Sequence, residues 1–320
     1  MYTDKSNLPL SIAVWLATDA YDHNSDPMTI SATSLLKPIK SIVMAMRSSV
    51  STEVDISDLI PSKLGTAVHE AVEKAWVTNY VQALTDLGYP PGMVKSVCIN
   101  PEVPTEGIDV YLEQRTSKQH GNWSVSGQFD LVMDGKLEDI KSTGVFTWMK
   151  QSNKDKFIQQ GSIYRWLNQD IITNDLMTIL YVFTDWSAIR AKTDKNYPPN
   201  RILAQDYPLM SLDQTEKFIG NKLKEIESNA LVDESELPKC TPEELWERPA
   251  VFKYYKNPLK RAKSTKNFNN VYEAYQRQQD DGNVGEVVII QGEVVYCRYC
   301  NARDACSDAT RFITEGRLVL

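Results

Sequence analysis

The residues of this 320-residue chain best spaced to do chemistry together are Asp130, Asp139 and Lys141. They lie in the run Gly127-Gln128-Phe129-Asp130-Leu131-Val132-Met133-Asp134-Gly135-Lys136-Leu137-Glu138-Asp139-Ile140-Lys141. Asp134-Gly135 between two apolar runs is a strong signal for a two-residue hairpin loop. Pairing Met133 with Lys136 then sets Val132 opposite Leu137, Leu131 opposite Glu138, and Asp130 opposite Asp139. Directly opposed residues have Cβ atoms about 4.5–5.5 Å apart, where two carboxylates repel unless positive charge lies between them. A divalent cation would supply that charge. So, more plainly, would Lys141 and Lys136 on an exposed hairpin, and a bulge would shift the register. Side chains alternate along a strand, so Asp130, Asp139 and Lys141 share one face while Phe129, Leu131 and Ile140 share the other, with Glu138 on the apolar side.

A second chemical group is formed by cysteines. Of five, Cys98 stands alone in the apolar stretch MVKSVCI and reads as a buried strand residue, whereas Cys240, Cys297, Cys300 and Cys306 fall in the last quarter. Three thiols within ten residues are too few for a four-thiolate site, and Cys240, in a polar turn after Pro238, is the better fourth ligand. Four thiolates suit a [4Fe–4S] cluster or a structural zinc, and spacing alone does not separate the two.

A third group is basic. Lys253, Lys256, Lys260, Arg261 and Lys263 stand in KYYKNPLKRAKSTK, a run without an acid and with Tyr254 and Tyr255 interleaved. It is either a solvated loop or a surface for nucleic acid, with tyrosines able to stack on single-strand bases.

The elements that must position these groups follow from periodicity. ISATSLLKPIKSIVMAMR reads as a helical element interrupted near Pro38, and the next stretch as a long amphipathic helix ending near Gly88. From Gly92 to Ser142 the pattern is strand-like, over MVKSVCI, IDVYLEQ, WSVSGQFDLVM and KLEDIKS. A helix over about 153–169, the apolar strand LMTILYVFT and a helix opened by the capping box Ser211-x-x-Gln214 complete the body. This order predicts an α/β sandwich with a mixed central β-sheet flanked by helices over residues 1–236. Residues 237–320 read as a metal-cluster extension carrying the basic run.

Composition narrows the function classes. With 42% apolar and 24% charged residues the chain is an ordinary globular sequence. No apolar run approaches the roughly 18 residues of a membrane span. The N-terminus lacks a secretory pattern, so the expected location is cytoplasmic, without membrane contact. A net charge of −7 rules out a surface that is basic throughout, so nucleic acid must be met by local patches.

GQFD followed by EDIKST resembles the G-x-x-D and D-x-K-[ST] motifs of the RecB/Cas4-type branch of the PD-(D/E)XK nucleases. Gly65-x-x-x-His69 upstream, Gln160-x-x-x-Tyr164 downstream and Cys297-x-x-Cys300-x5-Cys306 are similar, in the same order, to that branch's histidine, Gln-Tyr and cysteine motifs. The chain departs from the pattern at one ligand. The iron–sulfur members usually carry their first cysteine before the histidine motif, and LLKPIKSIVMAMR has none, so Cys240 is the substitute.

The resemblance implies a restriction-endonuclease-like core with a C-terminal cysteine-cluster extension, and a hydrolase cutting DNA with Mg²⁺ or Mn²⁺. Asp130, Asp139, the Ile140 carbonyl and His69 would hold the metal, and an imidazole ligand favours Mn²⁺. Lys141 would orient the water or stabilise developing charge, and Gln160 and Tyr164 would position the phosphate or Lys141. Glu73, one turn from His69, is either its supporting partner or a solvated helix residue. The cysteines would carry a [4Fe–4S] cluster, with zinc as the alternative. The expected activity is that of an exonuclease on single strands or free ends, in DNA recombination, repair or phage DNA metabolism. No phosphate-binding G-x-x-x-x-G-K-[ST] motif is present, so unwinding would fall to a helicase, and a single-strand annealing or binding protein is a second expected partner. A structure-specific or restriction-like endonuclease, or a non-catalytic DNA-binding assembly protein, are the competing readings.

Overall fold

The computed structural model describes residues 2–18, 26–48 and 53–320, so the N-terminal stretch read for a secretory signal is covered only through Thr18. The chain forms two compact units, Met1–Leu36 with Glu53–Glu227, and Lys37–Thr52 with Ser228–Leu320. The second therefore takes in a segment that the sequence order had placed with the first.

The first unit is mixed α/β. Its main sheet has six strands in the order Ile202–Pro208, Leu176–Phe183, Lys136–Thr143, Leu131–Met133, Ile108–Leu112, Val97–Ile99. The Leu176–Phe183 strand runs parallel to Lys136–Thr143, and the acidic hairpin is antiparallel, which makes the sheet mixed. The hairpin pairs Met133 with Lys136, Val132 with Leu137 and Leu131 with Glu138, the register set by the Asp134-Gly135 turn. Both turn residues have positive φ, 48° and 76°, as a two-residue hairpin turn requires.

The long helix Ile60–Asp86 and the helix Lys154–Leu167 both pack on the Lys136–Thr143 strand. Both faces of that strand are therefore covered, with Leu137 and Asp139 buried on one and Ile140 on the other. The long helix is less deeply embedded than its apolar spacing suggests. None of its residues is fully buried, and Leu64, Val77 and Val81 are exposed. Around Ser211 both capping-box bonds form, from Gln214 N to Ser211 Oγ and from Ser211 N to Gln214 Oε1.

Three local expectations need correction. WSVSGQFDLVM is not one strand: Trp123–Gln128 and Leu131–Met133 lie in different sheets, with Phe129 and Asp130 between them. MVKSVCI is not one strand: Pro91–Ser96 is a short helix opened by a proline whose missing N–H costs nothing there, and only Val97–Ile99 is extended, with Cys98 half-buried. The polar run Arg115–His120, without the apolar alternation of a half-buried strand, pairs with Trp123–Gln128, and with Thr29–Ser31 these form a second, three-stranded sheet.

In the second unit, Lys266–Phe268, Val251–Tyr255 and Glu286–Ile290 make an antiparallel sheet covered by the helix Val271–Asp280. A separate core gathers Leu245, Val294, Cys297, Ala309, Phe312 and Leu318.

Candidate metal centre and cysteine cavity

The acidic hairpin does not work alone. Where the strand Leu131–Met133 ends, Asp130 continues the pairing through its side chain, and its Oδ2 accepts from Ile140 N at 2.7 Å. Its Oδ1 lies 3.4 Å from His69 Nδ1, which is also 3.6 Å from Glu113 Oε1. The other ring nitrogen, Nε2, is 2.9 Å from the Ile140 carbonyl oxygen. Asp130 first, and then Glu113, hold the His69 proton so firmly that its pKa is pushed up to about 10 against the opposing effect of burial. The ring is therefore an imidazolium at neutral pH, donating Nε2–H to Ile140 and directing Nδ1–H at two carboxylates.

Among the described residues, only His69, Glu113 and Asp130 bring three ligand atoms of His, Cys, Asp or Glu within 4.8 Å of one another. Glu113 is absent from the sequence-derived site. It follows the strand Ile108–Leu112 with a left-handed backbone, φ 47°, a conformation uncommon outside glycine. That turn carries the chain from the main sheet into the smaller one. Gln128 Nε2 donates to Glu113 Oε2 at 2.9 Å, and Arg115 Nη2 donates to Gln128 Oε1 at 3.1 Å. An acid in EQR has no local signature, and only the fold brings it to His69.

Asp139 and Lys141 stand on the adjacent strand. Lys141 Nζ is 2.6 Å from Asp139 Oδ2, an ion pair rather than an aligned hydrogen bond. Asp139 is 1% exposed, and this burial pushes its carboxyl pKa up, with Lys141 pulling it back. Burial works against the Lys141 ammonium, but Asp139 and Asp130 more than restore it and raise its pKa. Asp139 lies within the field of Asp130 and His69 without joining the three-ligand group. Glu138 instead feels Lys136 and Asp206.

A cleft of about 540 Å³ opens over this centre, lined by His69, Glu70, Glu73, Glu113, Arg115, Gln128 and Tyr164 among others. Gln160 Nε2 donates to the Tyr164 hydroxyl at 2.8 Å, one helical turn away. The Tyr164 ring lies so close to Gly127 that a Cβ there would stand 2.9 Å from it and 2.8 Å from Leu167. The glycine of the G-x-x-D motif is thus a close-approach position.

In the second unit Cys240, Cys297, Cys300 and Cys306 line one cavity of about 70 Å³. Burial pushes the Cys240 thiol up to about 12, with Glu244 and the other thiols adding to it, and pushes Cys297 up to about 12, with Cys300 and Cys306 adding. Cys98 belongs to the other unit and does not line this cavity.

The basic run is less available than its composition suggests. Lys253 lies in the strand Val251–Tyr255, Lys256 pairs with Asp281 at 3.6 Å and Arg261 pairs with Glu286, while Lys260 and Lys263 are exposed in the turn. Tyr254 and Tyr255, expected to stack on bases, are instead buried, and the Tyr254 hydroxyl donates to Asp281 Oδ2 and the Val284 carbonyl. Tyr254 completes a small core with Phe268 and Ala274, which takes its ring from the surface.

No helix among the described residues is long and apolar enough to cross a membrane. No family model matches the chain, and neither does any curated protein. Among solved structures, the protein SSO0001 is similar over 70% of this chain and 88% of its own, with 13% identity and a TM-score of 0.38. A phage related exonuclease from Haemophilus somnus 129PT is similar over 60% of this chain and 93% of its own, with 13% identity and a TM-score of 0.25.

Proposed function

We propose that this chain is a metal-dependent DNA nuclease of the PD-(D/E)XK kind, acting as an exonuclease on single strands or free ends. The observation that carries the reading is the convergence of His69, Glu113 and Asp130, with the ion pair of half-buried Lys141 and buried Asp139 on the adjacent strand. The two carboxylates that raise the His69 pKa supply the negative charge a divalent cation would neutralise, and this set of two carboxylates and an imidazole fits Mn²⁺ or Mg²⁺. When bound, such an ion acidifies water and neutralises charge on a phosphodiester. Asp139, which feels the charges of Asp130 and His69, is the fourth candidate ligand in this reading, and the Ile140 carbonyl is a further oxygen donor on the same strand.

The protein's own groups do the rest. Lys141, half-buried, keeps its ammonium charged beside Asp139 and Asp130, and in this reading stabilises negative charge developing on the phosphate. Gln160 fixes the Tyr164 hydroxyl, and Tyr164 on the cleft wall positions the strand. Lys260 and Lys263, with Lys253, supply cationic contact to the DNA backbone.

The four cysteines hold a [4Fe–4S] cluster in this reading. Tetrahedral zinc with Zn–S near 2.3 Å needs sulfurs only about 3.8 Å apart. The thiols are spread more widely, since no three of them come within 4.8 Å of one another. A cluster gives each thiolate its own iron and so a wider spacing.

The test is digestion of end-labelled single-stranded, duplex and closed circular DNA with Mn²⁺, Mg²⁺ or chelator. Metal-dependent loss of linear substrates with circles left intact is expected. Cutting of closed circles overturns the end-dependent reading, and no cleavage with either metal overturns the nuclease reading.

A further inference from the structure

The cysteine cavity has a polar lining that the ligands themselves do not explain. Ser41, 6% exposed on the helix Ile39–Arg47, places its Oγ 3.3 Å from Cys300 Sγ and 2.9 Å from the Tyr296 hydroxyl. Both Ser41 and Tyr296 border the space that the four thiols surround. A buried hydroxyl costs stability unless it is satisfied, and these two satisfy each other at 2.9 Å.

The direction of the bonds follows from the chemistry of a ligated thiolate. A metal-bound cysteine has lost its proton and can only accept. Ser41 has one hydroxyl proton, which must then go to Cys300. Its oxygen is left as an acceptor for Tyr296, whose phenol is protonated at neutral pH. The chain is therefore ordered, from Tyr296 to Ser41 to the sulfur.

We propose that Ser41, oriented by Tyr296, is a positioning residue that donates a hydrogen bond to the Cys300 ligand of a bound iron–sulfur cluster and sets its reduction potential. This rests on the cluster reading of the four cysteines. Ser41 is not a spare ligand: an oxygen 3.3 Å from Cys300 Sγ stands within the shell of that sulfur rather than at a separate corner. Hydrogen bonds to cluster sulfurs are among the determinants of cluster potential. A donated bond stabilises the negative charge that grows on reduction, so it favours the reduced state.

The experiment uses the full chain purified without oxygen. Wild type is first examined for colour, iron and acid-labile sulfide, then titrated by dithionite with spectroscopic readout. Ser41→Ala should shift the potential to more negative values and release iron to a chelator about tenfold faster. Ser41→Thr, which keeps the hydroxyl, should stay close to wild type. Tyr296→Phe should shift the potential in the same direction as Ser41→Ala by a smaller amount. Unchanged potential and unchanged iron release in Ser41→Ala, with the wild type brown, overturn this inference alone. A colourless wild type containing zinc overturns the cluster reading and this inference with it.

Discussion

Asp130 joins two parts of the fold through its two carboxylate oxygens: Oδ2 receives Ile140 N–H at 2.7 Å, and Oδ1 faces His69 Nδ1 at 3.4 Å. One side chain thus closes the hairpin ladder and anchors the imidazole of the long helix. Asparagine at 130 keeps an oxygen for Ile140 but loses the charge. Asp130→Asn and Glu113→Gln should each lower Mn²⁺ affinity and cleavage by at least roughly a hundredfold, with the far-ultraviolet circular dichroism unchanged. Calorimetric titration with Mn²⁺ checks this, and wild-type affinity in both variants removes the three-residue centre.

Lys141 is tied to a carboxylate that is almost wholly buried. Lys141→Ala should abolish most cleavage, by about 10²–10³-fold, while retaining Mn²⁺ binding. It should also destabilise the metal-free protein by about 3 kcal/mol, because Asp139 is left buried without its partner. Adding Asp139→Asn should recover much of that stability in urea unfolding. A double variant no more stable than the single one would show that the pair is not coupled.

His69 makes the stability of metal-free protein depend on pH. Its folded pKa of about 10 lies above the ordinary 6.5. A group raised in this way lends stability that is complete below its unfolded value and is lost as pH rises through the folded one. With chelator present, this contribution should be full below about pH 6.5 and decline from there to about pH 10. Urea unfolding across that window should show the decline in wild type but not in His69→Asn.

Lys260 and Lys263 lie exposed in the basic turn, whereas Lys256 and Arg261 are engaged by acids. Replacing both exposed lysines by alanine should weaken single-strand binding at low salt. It should also reduce the slope of log affinity against log salt by ~1.4, about 0.7 for each phosphate that a lysine no longer neutralises. Fluorescence anisotropy in Ca²⁺ measures this without cleavage, and an unchanged slope takes the turn out of the interface.

Local rules in the sequence were sufficient for the hairpin. Asp134-Gly135 fixes the turn and the turn fixes the register from Met133–Lys136 to Leu131–Glu138, but the ladder ends there, and the expected Asp130–Asp139 pair is replaced by the bond from Ile140 N to the Asp130 carboxylate. The helix from Lys154 to Leu167, the capping box at Ser211 and the break at Pro38 were legible for the same reason, since each depends on neighbours within a few residues. What tertiary structure decided depends on distant chain segments. Glu113 reaches His69 because the Ile108–Leu112 strand pairs beside the hairpin and a left-handed residue ends it. Tyr254 is buried because the neighbouring strands and a helix close over it. Ser41 meets Cys300 across 259 residues. Spacing along a chain specifies such meetings only after packing has chosen which faces touch, because the energy that selects them is burial summed over the whole unit rather than any local preference.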